Sequence, residues 1–219
     1  MSSDALATTR RALHGAAELL VAGPQYRGTG KMRLAVRPGG FGTSRSWDDV
    51  LGIAVDRTDL VVGRSGDERR IPLAGTYAEL AAAAGLEPGG LEGAYRDGSG
   101  VVLDDAVDVD PAAAARLAAA WAVGDAALRA LGAEVAGDDA PAPVLWPEHF
   151  DVAITLDEVN YGVSPGDSTI PAPYAYVGPF RPRQGPFWNQ PFGAARPLVE
   201  LAGEDGVLVF FREGRTLAG

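Results

Sequence analysis

The densest group of side chains with acid, base or ligand chemistry in this sequence is Glu148-His149-Phe150-Asp151. Histidine is the residue type that exchanges protons near neutral pH, which makes His149 the natural proton donor or acceptor of the group. The simpler interpretation is that His149 forms a hydrogen bond to the backbone or to Asp151 where a strand begins. The alternative is that His149 contacts a ligand, and the sequence leaves both interpretations open.

A metal site would need further ligands that converge on His149 in the fold. The chain has two histidines and no cysteine, so few residues of the preferred types are present. The candidates elsewhere in the chain are His14, Glu18, Asp157, Glu158 and Asp167. Because such a site would have to be assembled from scattered carboxylates, we predict that the protein holds no metal and no cofactor.

Residues 146–192 contain nine of the 17 aromatic residues and eight of the 16 prolines. Amphipathic rings between proline-rich turns are typical of shaped surface loops. Tyr174 and Tyr176 should share one face of a strand, because side chains alternate with a period of two. Either these rings offer their hydroxyls to a small-molecule pocket, or they cover the sheet while the hydroxyls stay in water.

The connection between the strands predicted at residues 151–156 and 174–177 is rich in turn residues, which can fold the ends of both strands together. We therefore predict that five ligand-binding side chains lie near one concave surface. They are His149, Asn160, Asp167, Tyr174 and Tyr176.

Two short motifs resemble catalytic loops but lack the chemistry. Gly162-Val163-Ser164-Pro165-Gly166 matches G-x-S-x-G, yet an oxyanion hole needs the N–H of the residue after the serine, and proline has none. Gly28-Thr29-Gly30-Lys31-Met32 has a methionine where a phosphate-binding loop needs a serine or threonine after the lysine. The sequence therefore favours neither a serine hydrolase nor a nucleotide-binding protein.

The first part of the chain predicts a helix, short strands and a second helix. Apolar residues at helical spacing predict a helix over residues 4–22, which Gly23-Pro24 should end. From residue 32 to residue 73, short apolar runs between Gly, Asp and Pro indicate an antiparallel meander. Residues 76–79 have the sequence of a capping box, so a short helix should follow and end at Gly85. Residues 86–109 should form loops with a short strand at 101–103.

A longer helix is predicted over residues 110–131, where an Asp-Pro pair supplies the N-cap and the first turn. Gly124, at its middle, should mark the close approach of another backbone. Gly132 should end the helix. Three large side chains of its apolar face should be buried, namely Leu117, Trp121 and Leu128.

Residues 1–219 are expected to form a single domain, with 133–144 as a linker between halves 1–132 and 145–219. The second half should contain the strands at 151–156 and 174–177. A closing helix is expected over 207–217, where helical spacing outweighs strand propensity. We predict an α+β fold, with mainly antiparallel sheet packed by about four helices. Each half has the order helix, strands, helix, and no residue-level repeat decides whether they are a duplication.

The net charge of −10 disfavours nucleic acid and anionic membranes as partners, because both need clustered Lys and Arg. The absence of cysteine excludes disulfides and suits a reducing compartment. The first residues lack the pattern of a signal peptide, and no apolar run is long enough to span a bilayer. We therefore expect a soluble, cytoplasmic bacterial protein, for which self-association into a homo-oligomer stays open.

The order of these features resembles that of a bacterial family of unknown function. The features that carry the resemblance are the sequence K-x-R-L-x-V after the first helix, T-Y-x-E-L after the meander, the Asp-Pro helix with Trp121, the strand entry W-P-x-H-F-D and the segment Y-A-Y. The similarity spans most of the chain, although this chain has shorter loops. The resemblance implies an α+β fold, and it supplies no activity and no catalytic residues.

Two classes of function are compatible with these observations. The first is small-molecule binding, with or without catalysis, at residues 146–192. The alternative is a protein-interaction or self-association module that uses the aromatic, proline-rich surface. A deep pocket lined by His149, Asn160 and the tyrosines would favour the first, and a flat apolar patch bearing Phe187 and Trp188 would favour the second.

Overall fold

The computed structural model describes residues 3–44, 52–64, 66–91, 95 and 98–219. The fold is α+β with antiparallel sheet, as the sequence predicts. The chain divides into two compact units. The first contains the described residues up to Ala119 together with Leu145–Phe150, and the second contains Ala120–Val144 and Asp151–Gly219. Whether the chain is one domain with the halves predicted from the sequence stays a prediction.

The first unit begins with a helical run made of α1 (Ser3–Ala16), a π-helical turn (Ala17–Ala22) and α2 (Gly23–Thr29). The predicted end at Gly23-Pro24 is therefore wrong. The run ends instead at Gly30, whose φ of 71° lies in the left-handed region that glycine adopts readily.

A loop explains how the helical run continues through Pro24. In the π-helical register the carbonyl of Leu19 would pair with residue 24, but proline has no N–H to donate. The backbone N–H of Gly89 donates to that carbonyl instead, at 3.1 Å. Gly23 makes room for this loop, because a Cβ atom there would lie 1.7 Å from the carbonyl oxygen of Gly89.

The predicted meander is confirmed, and one later strand joins it. The strands are β1 (Leu34–Arg37), β2 (Gly40–Thr43), β3 (Gly52–Asp56), β4 (Asp59–Arg64), β5 (Asp67–Pro72) and β6 (Val144–Trp146). Their order is β6-β1-β2-β3-β4-β5, and Leu34 lies opposite Leu145 where β6 joins. Neighbouring strands in this order are antiparallel, which short hairpin turns allow between consecutive strands.

The capping box is confirmed at the start of α3 (Tyr77–Ala84). The Glu79 N–H donates to Thr76 Oγ1 at 3.2 Å, and Glu79 Oε2 accepts from the Thr76 N–H at 2.8 Å. Gly85 ends the helix as predicted. The Tyr77 hydroxyl donates to the carbonyl of Ala12 at 2.9 Å, which fixes α3 to the helical run. The apolar core of this unit includes Leu13, Leu20, Leu34, Phe41, Val55, Leu60 and Leu80.

The strand predicted at residues 101–103 is wrong. The Asp105 carboxylate accepts from the N–H of Val102 at 3.2 Å, and the Asp105 N–H donates to the Val102 carbonyl at 3.0 Å. These bonds close a turn, so the apolar residues there follow side-chain-to-backbone bonding rather than strand propensity. Residues 92–94, 96 and 97 of the predicted loop lie outside the described residues.

The long helix, α4, runs from Pro111 to Ala136 and is capped by Asp110, whose Oδ1 accepts from the N–H of Ala113 at 2.8 Å. Its predicted end at Gly132 is wrong by five residues, because the helix continues to Ala136. The chain turns only at Gly137, where φ is 56°. The predicted burial is confirmed for Leu117, Trp121 and Leu128.

The second unit contains a four-stranded antiparallel sheet and the closing helix. The strands at 151–156 and 174–177 and the closing helix were predicted, whereas the other two strands were not. The elements are β7 (Asp151–Leu156), β8 (Val159–Ser164), β9 (Tyr174–Pro179), β10 (Ala194–Pro197) and α5 (Gly203–Ala218). The strands follow the order β7-β8-β9-β10, so each is hydrogen-bonded to the next along the chain.

Helices cover one face of this sheet. A Cβ atom on Gly124 would lie 2.8 Å from side-chain atoms of Val152 and Val163, so valine side chains, rather than the backbone we expected, approach this glycine. In α5, a Cβ atom on Gly214 would likewise lie 2.7 Å from a side-chain atom of Val177. Val152, Val163 and Val177 therefore face the helices. Because side chains alternate along a strand, the residues next to each of these valines in its own strand project from the opposite face.

Candidate functional site

The face of the second sheet opposite α4 and α5 carries the polar residues of β7, β8 and β9. Gly162 lies opposite Tyr176 in the pairing of β8 with β9, and Ser164 lies opposite Tyr174. The two tyrosines therefore share one face, as their spacing predicts, and their ring centroids are 6.4 Å apart.

Each of these tyrosines donates its hydroxyl hydrogen to an aspartate. The Tyr176 hydroxyl donates to Asp151 Oδ2, and the Tyr174 hydroxyl donates to Asp167 Oδ2 at 2.7 Å. Asp151 and Tyr174 are each only 6% exposed, so both bonds lie largely out of water. We call these four residues together with Ser164, which is 7% exposed and lies beside Tyr174, the tyrosine–aspartate cluster.

Local sequence explains the geometry of the cluster. Tyr176 reaches Asp151 by crossing Gly162 in the intervening strand, since a Cβ atom on that glycine would lie 2.5 Å from the tyrosine ring. Asp167 is fixed by its own turn, where Oδ1 accepts from the N–H groups of Thr169 at 2.6 Å and Ile170 at 2.8 Å. This Asx-type bonding orients the other oxygen toward Tyr174.

The environment keeps both tyrosines protonated. Burial raises the pKa of Tyr176 well above its ordinary value, and the negative charge and hydrogen bond of Asp151 raise it further. Burial likewise raises the pKa of Tyr174, helped by its hydrogen bond to Asp167, while Ser164 opposes the rise. Both hydroxyls therefore stay neutral donors throughout the physiological pH range.

Asn160 lies on the same face, toward the turn end of the β7–β8 hairpin, where it lies opposite Thr155. It pairs with Gly178 across β9, and its Oδ1 accepts from the Thr155 hydroxyl at 2.7 Å. Thr155 is exposed and Asn160 is half-buried, so this end of the face is in contact with water. The structure thus places Asn160, Asp167, Tyr174 and Tyr176 on one unit. The last three are members of the tyrosine–aspartate cluster, joined to it by the hydrogen bonds above.

His149 belongs to the first unit, and its predicted place beside the other four residues stays a prediction. Its side chain is 62% exposed, and Nε2 lies 3.6 Å from Glu148 Oε1. Phe150, the next residue, is buried with φ of 57°, which is an unusual conformation for a large side chain.

Sequence reasoning missed two members of the cluster, Asp151 and Ser164. Asp151 entered as a member of the 148–151 group and as a partner for His149, whereas it accepts from Tyr176. The signal was the alternation of Asp151-Val152-Ala153-Ile154, in which a charged residue occupies the face opposite the buried valine and isoleucine. Ser164 entered only as part of the rejected G-x-S-x-G motif, and its hydroxyl oxygen accepts from the N–H of Gly166 at 3.1 Å.

The first unit contains a different buried polar group around Glu18. This residue lies in the π-helical turn and is 7% exposed. Its carboxylate accepts from the Tyr95 hydroxyl at 2.8 Å, from the Ser99 N–H at 3.0 Å and from the Ser99 hydroxyl. Burial raises the pKa of Tyr95, and the charge of Glu18 raises it further, so its hydroxyl also stays a donor.

His14 lies one helical turn before Glu18. Its Nε2 is 2.6 Å from the carbonyl of Pro147, which can only accept, so we assign the hydrogen to Nε2. Its ring stacks on Phe150 with centroids 4.9 Å apart. Burial lowers the pKa of His14, while the Glu18 carboxylate opposes that shift. His14 is therefore a neutral, fixed ring. Within the ranges that the structure describes, no three His, Asp or Glu side chains form a group suited to a metal ion.

Phe187 and Trp188 are partly covered by their own unit. Their rings meet edge to face at 4.9 Å, and Phe187 lies 5.2 Å from the ring of Phe210 in α5. The guanidinium of Arg196 lies over the same Phe210 ring at 5.0 Å. These contacts make the aromatic segment a cover for α5 as well as a surface.

Comparisons with known proteins give no assignment: the chain matches no family model, no curated protein and no solved structure at a significant level. Among the described residues, no helix is both long enough and apolar enough to cross a membrane.

Proposed function

We propose that the chain binds a small polar molecule on the tyrosine–aspartate cluster. The observation that carries this proposal is the pair of tyrosine–carboxylate hydrogen bonds on the sheet face opposite the helices. Burying carboxylates costs free energy that apolar packing would avoid. Buried polar networks of this kind are concentrated at binding and catalytic sites.

The direction of the hydrogen bonds defines the ligand chemistry. The hydroxyl hydrogens of Tyr174 and Tyr176 point to aspartates, so the oxygens offer lone pairs to a ligand. Carboxylate oxygens are also acceptors. A molecule that carries hydroxyl or amino donors therefore complements this face better than one that carries only acceptors.

Aromatic rings supply an apolar contact beside these acceptors. The rings of Tyr176 and Phe192 meet edge to face at 6.3 Å, and Phe192 is 45% exposed. At the turn end of the face, Asn160 uses its oxygen for Thr155, so its amide N–H groups are oriented as donors. A ligand with one apolar surface and several donor groups would satisfy both features.

A thermal-shift screen of metabolites that carry hydroxyl or amino groups tests the proposal. We expect a ligand that raises the melting temperature of the parent protein and has a smaller effect on Tyr176→Phe and Tyr174→Phe. Tyr26→Phe is the matched control, because Tyr26 is exposed and lies in the first unit. Equal shifts for all four proteins would refute binding at the cluster.

A protein-interaction or self-association module is the second candidate function. It is favoured by Phe180, Phe192, Val199, Val209 and Leu217, which are large, exposed and all within the second unit. Light scattering across a range of protein concentrations tests it. If Val199 contributes to self-association, the measured mass should exceed that of one chain, and Val199→Ser should lower it. A single-chain mass at every concentration would refute self-association.

A further inference from the structure

A separate feature lies on the helix-covered side of the second sheet, beside the turn between β7 and β8. It is a cleft of about 310 Å³, within the usual size range of small-molecule sites. Tyr161 lines it, and this residue precedes Gly162 in β8, so the cleft and the tyrosine–aspartate cluster lie on opposite faces. The other lining residues used below are Asp157, Val159, Arg215 and Ala218.

Arg215, in the last turn of α5, supplies positive charge to the cleft. Its Nη1 donates to Asp157 Oδ2 at 2.7 Å. A guanidinium group carries five N–H donors in a planar fork that fits a carboxylate, so this single bond leaves further donors.

The Tyr161 hydroxyl supplies a second polar group. The residue is fully buried, and its ring lies edge to face with Phe211 at 5.8 Å. Within the described part of the chain, its hydroxyl makes no well-aligned hydrogen bond, and its polar neighbour is the guanidinium of Arg215. Burial raises the pKa of Tyr161, so the hydroxyl stays protonated and can donate. A buried hydroxyl without an acceptor is unfavourable, and a ligand oxygen would relieve this.

Asp157, which forms the ion pair with Arg215, lies in a constrained turn. Asp157 and Glu158 have φ values of 49° and 61°, in a turn type that is usually formed by Asn-Gly. The Asp157 side chain is 69% exposed, so its carboxylate can leave Arg215 and be solvated by water. Asp157 therefore acts as an internal competitor for any carboxylate that enters the cleft.

We propose that this cleft binds a small organic monocarboxylate. The ligand carboxylate replaces that of Asp157 on Arg215 and accepts a hydrogen bond from the Tyr161 hydroxyl. Its apolar part lies against Val159 and Ala218. This site is distinct from the tyrosine–aspartate cluster, and it does not depend on the function proposed there.

Titration with benzoate, followed by NMR at fixed ionic strength, tests this proposal, with benzamide as the uncharged isostere. The parent protein should bind benzoate saturably and at least about tenfold more tightly than benzamide. Arg215→Gln should weaken benzoate binding by at least about tenfold. Asp157→Asn removes the competitor and should tighten binding by about two- to fivefold, as expected for an exposed ion pair.

Arg212→Gln is the matched control, because Arg212 lies on the same helix and pairs with Glu134 outside the cleft lining. It should leave benzoate affinity unchanged. Tyr161→Phe keeps the ring and should weaken binding, which tests the site even if Arg215→Gln fails to fold. The proposal is overturned if no saturable benzoate binding occurs, if Arg215→Gln and Arg212→Gln behave alike, or if Asp157→Asn does not tighten binding.

Discussion

Each compact unit buries a carboxylate that accepts from a tyrosine, yet the two carboxylates are held differently. Glu18 accepts from the side chain of Tyr95 and from both the backbone and the side chain of Ser99, all in irregular structure. Asp151 accepts from Tyr176, which is already fixed by the strand pairing of β9. The Glu18 carboxylate therefore has a loop to position, whereas the Asp151 carboxylate lies among elements that backbone bonds position without it.

Burial alone therefore does not distinguish a carboxylate that holds a loop from one that lies on a surface formed without it. Around Glu18, the carboxylate is the acceptor on which several loop donors converge, and Gly98 lies so close that a Cβ atom there would be 2.3 Å from Oε1. Around Asp151, the neighbours are rings on a regular sheet face. We expect loss of Glu18 to lower the free energy of unfolding more than loss of the Tyr176 hydroxyl does.

The largest loss of stability is expected for Trp121→Ala in the second unit. Trp121 is fully buried, so Trp121→Ala should lower the free energy of unfolding by about 3–5 kcal/mol through loss of packing and creation of a cavity. Chemical denaturation followed by circular dichroism measures this. A midpoint close to that of the parent would mean that α4 is peripheral. Packing against α4 would then contribute little to the stability of the second sheet.

Glu18→Gln tests whether the buried carboxylate of the first unit stabilises the fold. The amide keeps the size of the side chain but replaces one acceptor oxygen with a donor group, facing hydroxyl and backbone donors. Loss of these charge-assisted hydrogen bonds should cost about 2–3 kcal/mol. Glu87→Gln is the control, since the Glu87 side chain is 86% exposed. If both variants unfold at the same denaturant concentration, Glu18 does not hold the loop.

The pH dependence of stability sharpens the description of the first unit. The pKa of His14 is lowered in the fold, chiefly by burial, so on acidification the unfolded chain binds a proton before the folded chain does. Stability from this group is present above the unfolded pKa of about 6.5 and is lost as pH falls through the folded value, at up to about 1.4 kcal/mol per pH unit.

His14→Gln keeps a donor for the Pro147 carbonyl but does not titrate. Its unfolding free energy should fall less steeply than that of the parent between pH 7 and acidic pH. The measurement is a series of urea denaturations at closely spaced pH values. Parallel curves for the two proteins would show that His14 takes up its proton equally in both states.

Local signals predicted most of the fold. The capping box at residues 76–79, the Asp-Pro start of α4 and the strand at residues 151–156 depend on neighbours in sequence, and the structure confirms them. The errors arose where distant groups supply a hydrogen bond. The helical run continues past Pro24 because Gly89 satisfies the Leu19 carbonyl, and no local pattern around Pro24 contains that information.

The placement of the candidate side chains was predicted in part for the same reason. Tyr174 and Tyr176 follow from period two, and Asp167 follows from its turn-forming sequence. The partnership of Tyr176 with Asp151 requires the strand order and the empty space above Gly162, which only the assembled sheet provides. The cleft likewise depends on residues that are distant in sequence, because Tyr161 in β8 and Arg215 in α5 are 54 positions apart in the chain.

The smallest loss of stability is expected for Tyr176→Phe, and this variant distinguishes most sharply between the roles of Asp151 and Glu18. Tyr176→Phe keeps the ring over Gly162 and removes one hydrogen bond to the charged Asp151, so the free energy of unfolding should fall by about 1.5 kcal/mol, the lower end of the range for a bond to a charged group. The fall should be less than that of Glu18→Gln, measured under the same conditions, because the strand pairing of β9 remains. A larger loss than Glu18→Gln would assign Asp151 a structural role like that of Glu18. The face opposite the helices would then be packing rather than a binding surface.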